Sequence, residues 1–309
     1  MKAIRLFYVC AAFAALSSCT SQLIDDGDGQ HTGCTADSVT NVRLHCATLD
    51  VSTRAALTAN GKSMTDLFVL DYDQGTGQLL QVLHQTSDSE DFGAPVLTMS
   101  YGTHTVKVLA TRSDGSTLVD ENGNNWITTP GTAQPVEVGD VPSWWSSNKT
   151  SDTFFAAKSI QVEASTSGAA IEMDRAVAKL SLVVRDHCPE DCSTLSLLID
   201  EYHTLSWSTM EPMLKTENER VSDVTMYAGR DGYTMSYYFL VPDDGYTTDV
   251  TITVGRSGKT PYAVYNVSGI RLERNKVTEI VGDYYSNTGG LTITLNDAWQ
   301  EDRNVVDLK

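Results

Sequence analysis

Alternation of apolar and polar side chains along most of this 309-residue chain constrains its fold more than any other feature. In several segments the residues of one face, mostly apolar, recur at every second position, which is the spacing of a half-buried β-strand. The strongest examples are residues 103–111, 176–185, 233–241, 249–254 and 290–295. Seven further segments are predicted as strands, namely 66–72, 78–84, 95–101, 159–164, 195–199, 261–267 and 276–284.

Glycine next to aspartate or asparagine separates these strands, and such pairs favour tight turns. The turn segments are 73–77, 113–115, 121–125, 230–232 and 243–245. No window shows sustained helical periodicity, although residues 88–92 or 206–214 could hold a short helix. Many short strands at this spacing predict an all-β sandwich or barrel.

A small, polar segment at residues 163–169 is the best candidate for a domain boundary. It divides the chain into residues 39–165 and 166–309, and each part has enough strands for its own β-sandwich. The loop 131–150 carries prolines and little periodicity, so we expect it to cross over the first domain.

The N-terminus has the three parts of a secretory signal peptide. Lys2 and Arg5 precede an apolar run at residues 6–16, which is shorter than the roughly 20 residues needed to span a bilayer as a helix. Small residues then lead to a cysteine. We therefore predict that residues 1–18 are a signal peptide and exclude them from the fold.

The sequence Leu16-Ser-Ser-Cys19 resembles the lipobox of bacterial lipoproteins. The resemblance implies that Cys19 becomes the acylated first residue of the mature chain. The alternative is an ordinary cleavage site with an incidental cysteine. Acyl chains supply roughly 0.8 kcal/mol per buried methylene group, so several chains anchor a protein stably to a membrane.

Charge excludes two classes of partner. Removing the leader removes two of 22 basic residues and no acidic ones, so the charge changes from −18 to 20 − 40 = −20. A chain this acidic has no electrostatic footprint for nucleic acid or for anionic lipid. Residues 19–38 are acidic and glycine-rich, and we interpret them as a flexible tether between the lipid and the fold.

Four cysteines remain besides Cys19. In an exported protein they predict two disulfides, Cys34–Cys46 and Cys188–Cys192, although four cysteines allow three connectivities. A zinc site that includes His187 is the alternative for the second pair. Export favours oxidation, and a second pair of zinc ligands is missing from the sequence.

Catalytic patterns are missing from the sequence, so we expect no enzyme, no cofactor and no metal. The sequence lacks a Gly-x-Ser-x-Gly motif and any histidine spacing typical of a metal centre. Residues 257–260 imitate the end of a phosphate-binding loop, but they lie between predicted strands and lack the first glycine. Trp144 and Trp145 could form a stacking platform for a sugar or a partner strand, or could pack in the core.

Three stretches resemble the Bacteroidales fimbrillin superfamily, the type V pilins with their anchor and accessory subunits. They are Asp152-Thr-Phe-Phe-Ala156, then Met173-Asp-Arg-Ala-Val-Ala-Lys-Leu180, and the run from residue 66 through 91–93 to 101–108. With the lipobox, the resemblance covers most of the mature chain. It implies two tandem transthyretin-like β-sandwich domains after a lipoprotein signal peptide, and a structural role at the cell outer membrane.

In stalk pilins of this family an arginine-directed protease removes the first strand, and a donor strand of the next subunit fills the groove. Arg54, followed by Ala55, offers such a site after the alternating segment 39–49. Anchor subunits of the family keep their lipid and stay uncut. The last residues, 296–309, give only short apolar content for a donor strand, which favours an anchor or accessory role.

The function expected from this resemblance is a fimbrial subunit that contacts other subunits by β-strand addition. The acyl chains would hold it to the outer membrane. The alternative is a monomeric surface lipoprotein that binds a glycan or host ligand through loops such as 131–150.

Overall fold

The structure, a computed structural model, describes residues 38–48, 57–59, 62–126, 128–136, 141–286 and 290–296. These residues form strands and one short 3-10 helix, Thr225–Tyr227, and all lie within one compact unit, Asp37–Lys309. The strands, in chain order, are β1 Val39–Thr48, β2 Thr58–Ala59, β3 Lys62–Ser63, β4 Asp66–Asp73, β5 Leu79–Thr86, β6 Val96–Ser100, β7 Gly102–Thr111, β8 Thr117–Val119, β9 Asn125–Trp126, β10 Ala133–Pro135, β11 Trp144–Ser146, β12 Thr153–Val162, β13 Gly168–Arg175, β14 Val177–His187, β15 Cys192–Ser206, β16 Pro212–Asp223, β17 Asp231–Leu240, β18 Tyr246–Arg256, β19 Ala263–Leu272, β20 Val277–Gly282 and β21 Thr292–Asn296.

The first sheet folds over itself into a sandwich. Its strand order is β10-β5-β4-β7-β12-β13-β1-β6. Strand β13 pairs with β12 only at Phe154 and Phe155, and then pairs with β1 instead. The inward side chains of β4, β7 and β12 therefore meet those of β13, β1 and β6 in one buried cluster, which includes Val69, Val108 and Leu44.

A second sandwich forms from the later strands. One layer has the order β21-β20-β14-β17, and the other contains β16, β15, β18 and β19. A single pair, Tyr202 with Leu240, joins β15 to β17. The buried cluster between the layers includes Leu180, Leu197 and Ile252. Alternate residues of each strand point inward, which explains the period of two in the sequence.

A third buried cluster contains residues of both sandwiches. Phe68 and Leu70 of β4 pack in it with Trp145 of β11, Trp207 and Leu240. The sequence predicts that the segment 131–150 crosses over the first domain. In the structure the segment also takes part in both sheets. It contributes β10 to the first sheet, whereas β11 pairs with both β8 and β15 in the second sheet.

The all-β prediction is confirmed, and every segment predicted as a strand overlaps one. The two suggested helices are wrong. Residues 88–92 form turns, and residues 206–214 hold a turn followed by the start of β16. The domain boundary near residues 165 and 166 stays a prediction. Among the described residues, no helix is both long and apolar enough to cross a membrane.

Candidate functional site

Strand β1, the first strand of the described chain, occupies an enclosed position in the first sandwich. It pairs in parallel with β13 from Arg43↔Gly168 to Thr48↔Met173. On its other side it pairs antiparallel with β6 from Val39↔Ser100 to Arg43↔Val96. Backbone hydrogen bonds therefore fix β1 along both of its edges, although it is the strand nearest to the predicted N-terminal leader.

The side chains of β1 alternate between core and surface. Val42 and Leu44 are fully buried and Cys46 is 6% exposed, whereas Asn41 and His45 lie at the surface. Each fully buried aliphatic side chain stabilises the fold by about 1.5–3 kcal/mol relative to exposure. The β1 position is therefore a groove with alternate apolar sites, which is the geometry that strand addition requires.

Close backbone contact makes this groove specific for an extended strand. A Cβ atom at Gly168 would lie 3.1 Å from the carbonyl oxygen of Arg43, so β13 approaches β1 without a side chain between them. The backbone N–H groups of Leu44 and Cys46 donate to the carbonyl oxygens of Pro95 and Gly93, at 2.8 and 2.9 Å. These bonds extend the pairing to the residues that precede β6.

Two side chains of β1 have informative electrostatic surroundings. The Arg43 guanidinium donates to the carbonyl oxygen of Ala94 at 3.1 Å and lies 3.4 Å from the Asp91 carboxylate. Both charged groups are substantially exposed, so this ion pair adds little to stability. Burial raises the pKa of the Cys46 thiol to about 12.

The segment between β1 and the rest of the sandwich contains the predicted cleavage site. The described residues stop at Thr48 and resume at Leu57, which is buried in the same cluster as β1. Arg54 and Ala55 lie in this interval, outside the described residues. Cys19 and Cys34 also lie outside them, so lipidation and the Cys34–Cys46 disulfide stay predictions.

Strand β21 lies at one end of the second sheet and pairs only with β20 within the described ranges. Its apolar residues Ile293 and Leu295 are exposed. The later part of the C-terminus, including Trp299, lies outside the described residues. The weak apolar content of residues 296–309 as a donor strand, and the anchor or accessory role that it favours, stay predictions.

The two neighbouring tryptophans have different environments. Trp145 is fully buried, and its indole N–H donates to the Ser116 hydroxyl at 2.6 Å. Its interpretation as a ligand contact is wrong for this structure, because β11 turns it into the cluster between the sandwiches. Trp144 points to the opposite side of β11 and is half-buried, so its role as a contact stays a prediction.

Cys188 and Cys192 are free, buried thiols in the structure, which does not contain the disulfide expected between them. The Cys188 thiol lies 3.2 Å from the Tyr285 hydroxyl. Burial, followed by the neighbouring Cys192 thiol, raises the pKa of Cys188 to about 12. Cys188 directly follows β14 and Cys192 begins β15. Their oxidation after the predicted export stays a prediction.

The structure does not assemble the alternative zinc site. His187 is largely exposed and bonds to Asp231 at 2.7 Å, whereas Cys188 points into the core. His187 is the last residue of β14, and Cys188 follows the strand and is fully buried, which separates these two ligands. Within the described ranges, no group of three or more histidine, cysteine or acidic residues could hold a metal ion.

No family model matches the sequence, and no curated protein matches it significantly. The fold, however, matches solved structures. A candidate polysaccharide-binding protein from Bacteroides thetaiotaomicron is 9% identical, with a TM-score of 0.53, and the match covers 83% of this chain and 96% of the other. A candidate adhesin from Bacteroides ovatus is 15% identical, with a TM-score of 0.50, and the match covers 83% and 92%.

This chain has the fold of these Bacteroides proteins. The match shows a shared fold, and the resemblance to the fimbrillin superfamily stays a prediction. The fimbrial anchor protein Mfa2 from Porphyromonas gingivalis is also similar, with 10% identity, a TM-score of 0.46 and coverage of 83% and 97%. At these identities the comparisons describe the architecture, and the use of the β1 groove has to be argued from its geometry.

Proposed function

We propose that this chain is a subunit of a surface fimbrium, assembled when strand β1 is exchanged for a strand of a neighbouring subunit. The observation that carries the proposal is the enclosed position of β1 between β13 and β6. A strand that leaves this position uncovers two rows of backbone groups and the apolar sites of Val42 and Leu44. An incoming strand with the same alternation restores both.

The position of β1 ahead of the rest of the first sandwich in the sequence makes the exchange feasible. The rest of the first sandwich follows β1 in sequence, so cleavage after Arg54 would leave β1 held by non-covalent contacts alone. The resemblance to stalk pilins supports this cleavage. An uncut chain that keeps a lipid on Cys19 would instead act as the anchor or as an accessory subunit.

The proposed location is the cell surface, on the outer membrane. The predicted signal peptide and lipobox support export, and the shared fold with a candidate adhesin supports a role in adhesion or assembly. The proposed role is structural rather than enzymatic, since the expected partners are other fimbrial subunits.

The test begins with protein recovered from its native cell surface. Its intact mass and N-terminal residue are measured, and the unboiled sample is separated on a denaturing gel. For a polymerising subunit we expect a chain that starts at Ala55 and a detergent-resistant ladder. An acylated Cys19 without a ladder would contradict cleavage and assign the chain to an anchor or a monomeric lipoprotein.

An Arg54→Gln variant provides the control. It should accumulate as the uncut chain and give no ladder, because β1 then remains covalently attached and fills its own groove. A ladder of unchanged strength from this variant would contradict the proposed role of Arg54.

The second candidate is a surface lipoprotein that binds a glycan through its loops. A candidate polysaccharide-binding protein with the same fold favours it, and Trp144 remains partly accessible. Burial of Trp145 removes half of the expected stacking platform. Saturable glycan binding that is lost in Trp144→Ala would support this second function.

A further inference from the structure

The second sandwich carries a cleft of about 520 Å³ on the outer face of the layer formed by β16, β15, β18 and β19. All four strands contribute residues to its lining. Its volume falls in the range of roughly 300–1,000 Å³ found for small-ligand sites. The cleft lies away from β1, so it is separate from the strand-exchange groove.

A β-bulge shapes one wall of this cleft. Between the pairs Thr248↔Ile270 and Val250↔Val267, β18 advances two residues while β19 advances three. The residues of β19 within this bulge include Gly269, whose φ is +75°. Its backbone N–H donates to the Asp249 carboxylate at 2.9 Å. Bulges bend a strand and re-aim its side chains, and they are frequent next to functional sites.

Hydroxyl and amide groups line the cleft on two strands. Thr247 and Thr251 project from β18, and Asn266 and Ser268 project from β19. The Thr251 hydroxyl bonds to the Asn266 side chain at 3.0 Å, which fixes the orientation of both. These groups both donate and accept hydrogen bonds, which suits a ligand with many hydroxyl groups. Such a lining is unsuited to an apolar ligand.

Two carboxylates form the opposite wall. Asp200 of β15 lies directly across from Glu217 of β16, and like charges in this position destabilise a sheet. Neither carboxylate has an ion-pair partner among the described residues. The Lys215 ammonium instead lies 4.9 Å from the centre of the Tyr246 ring.

The lining of the cleft therefore carries a net negative charge. Three carboxylates, Asp200, Glu217 and Asp249, line the cleft with one ammonium, Lys215, so the formal charge is 1 − 3 = −2. This field repels uronic, sialic and sulfated sugars. It attracts an amine, which would also relieve the repulsion between Asp200 and Glu217.

We propose that this cleft is a carbohydrate-binding site that takes an uncharged or amine-bearing sugar and rejects acidic ones. Hydroxyl groups of the sugar bind the threonine, serine and asparagine side chains, and Asp200 and Glu217 accept hydrogen bonds from hydroxyl or ammonium groups. The site does not depend on the assembly mechanism, because a chain with β1 in place already contains the complete cleft.

Three tetrasaccharides of equal length test the proposal by isothermal titration calorimetry on the full chain. The probes are chitosan tetramer, which carries amines, N-acetylated chitotetraose, which is neutral, and tetragalacturonate, which is acidic. We expect saturable binding of the first two, tightest for the amine-bearing sugar, and none of the third. Tetralysine is included as a cationic probe without sugar hydroxyl groups.

The double variant Asp200→Asn with Glu217→Gln should weaken binding of the chitosan tetramer at least tenfold. A control, Glu163→Gln with Glu172→Gln, makes the same change in net charge on exposed residues of the first sandwich and should bind normally. Thr247→Tyr, which fills the cleft without changing charge, should weaken binding of both sugars. Circular dichroism confirms that each variant is folded.

Several results would overturn the proposal. One is failure of both non-acidic sugars to bind, whether or not tetralysine binds. The others are binding of tetragalacturonate as tight as that of the other two sugars, and unchanged affinity in the Asp200 and Glu217 variant. Each leaves the fimbrial function untouched, since strand exchange is read from the chain's N-terminus and the gel ladder.

Discussion

At the scale of single residues, Cys46 reports whether β1 occupies its groove. Its thiol is buried on the inward face of β1, and burial raises its pKa from 9.0 to about 12. Alkylating reagents attack the thiolate, whose fraction at pH 8 falls about a thousandfold for a rise of three pKa units. Burial also blocks access of the reagent.

We therefore predict that Cys46 in reduced, folded protein reacts with iodoacetamide at least a hundredfold more slowly than in urea. This factor is smaller than the thousandfold fall in the thiolate fraction, so it is a lower limit. Mass spectrometry of the peptide that contains Cys46 measures the rate. Release of β1 should raise the rate toward the value in urea. Rapid labelling of the intact folded chain would contradict the enclosed position of β1.

A buried ion pair lies where β12 meets β13. The Arg175 guanidinium donates to the Asp152 carboxylate at 2.7 and 3.3 Å, and Asp152 is fully buried. Arg175 also donates to the Asn275 side chain at 2.6 Å and lies 4.6 Å from the centre of the Phe154 ring. The pair therefore connects strands of the first sandwich to a turn of the second.

Asp152→Asn should lower the free energy of unfolding by about 3–5 kcal/mol, because it leaves the buried arginine charge without a carboxylate to neutralise it. Urea denaturation measures the loss. Asp231→Asn is the matched control, since its partner His187 and Asp231 itself are largely exposed, and it should change stability by less than about 0.5 kcal/mol. Equal effects of the two variants would contradict the argument from burial.

At the scale of elements, strand exchange requires that the sequence of β1 itself determines its binding to the groove. A peptide of residues 38–48 should then bind a chain from which the first 54 residues have been removed. Both backbone edges and the inward side chains contribute to binding. Fluorescence anisotropy of a labelled peptide measures the affinity.

We predict that a Val42→Asp, Leu44→Asp peptide loses binding at least a hundredfold, because both positions are fully buried in the intact chain. The control peptide, Asn41→Asp with His45→Asp, carries two new acids on the exposed face and should lose less than tenfold. Equal losses would show that inward side chains do not set the specificity of the groove.

The sequence predicted most of the long strands that expose one face and bury the other. It missed β16, whose residues are largely exposed and polar, because its position depends on pairing with β15 from Thr194 to Leu205. It also left residues 170–175 of β13 unassigned and placed Gly168 and Ala169 in a linker, since these two residues have no apolar alternation of their own. Pairing with a distant strand overrides local pattern in both elements.

The candidate site was only partly predictable for a related reason. Alternation in residues 39–49 indicated a strand, and β1 confirms it. Its parallel pairing with β13 joins residues more than 120 positions apart, which no local pattern encodes. Likewise, the cleft near Asp200 depends on strand register and on the bulge at Gly269, so no motif in the sequence revealed it.

At the scale of the whole molecule, the third cluster makes the two sandwiches dependent on each other. It places Phe68 and Leu70 from the first sandwich against Trp207 and Leu240 from the second, with Trp145 between them in the cluster. Strand β11 adds backbone pairing to the same region. Shared apolar burial of this kind should make the sandwiches unfold together.

We predict one urea transition, with the same midpoint by far-ultraviolet circular dichroism and by tryptophan fluorescence. The first probe reports all strands. The second reports the third cluster once Trp144→Phe and Trp299→Phe remove the tryptophan on the opposite side of β11 and the one outside the described residues. In that background, Leu240→Ala should cost about 2–5 kcal/mol and move the fluorescence midpoint below that of the dichroism. Loosening the shared cluster lets it open before the sandwiches do.

Ile252→Ala is the matched control, because Ile252 is equally buried but belongs to the cluster inside the second sandwich. It should lower both midpoints together, since the shared cluster still transmits the loss to the whole molecule. Coincident midpoints in Leu240→Ala would mean that Leu240 does not hold the shared cluster together. Separate midpoints in the parent chain would mean that the sandwiches fold independently. In that outcome the proposed fimbrial subunit could flex between its sandwiches, whereas a shared cluster would make it one stiff unit under load.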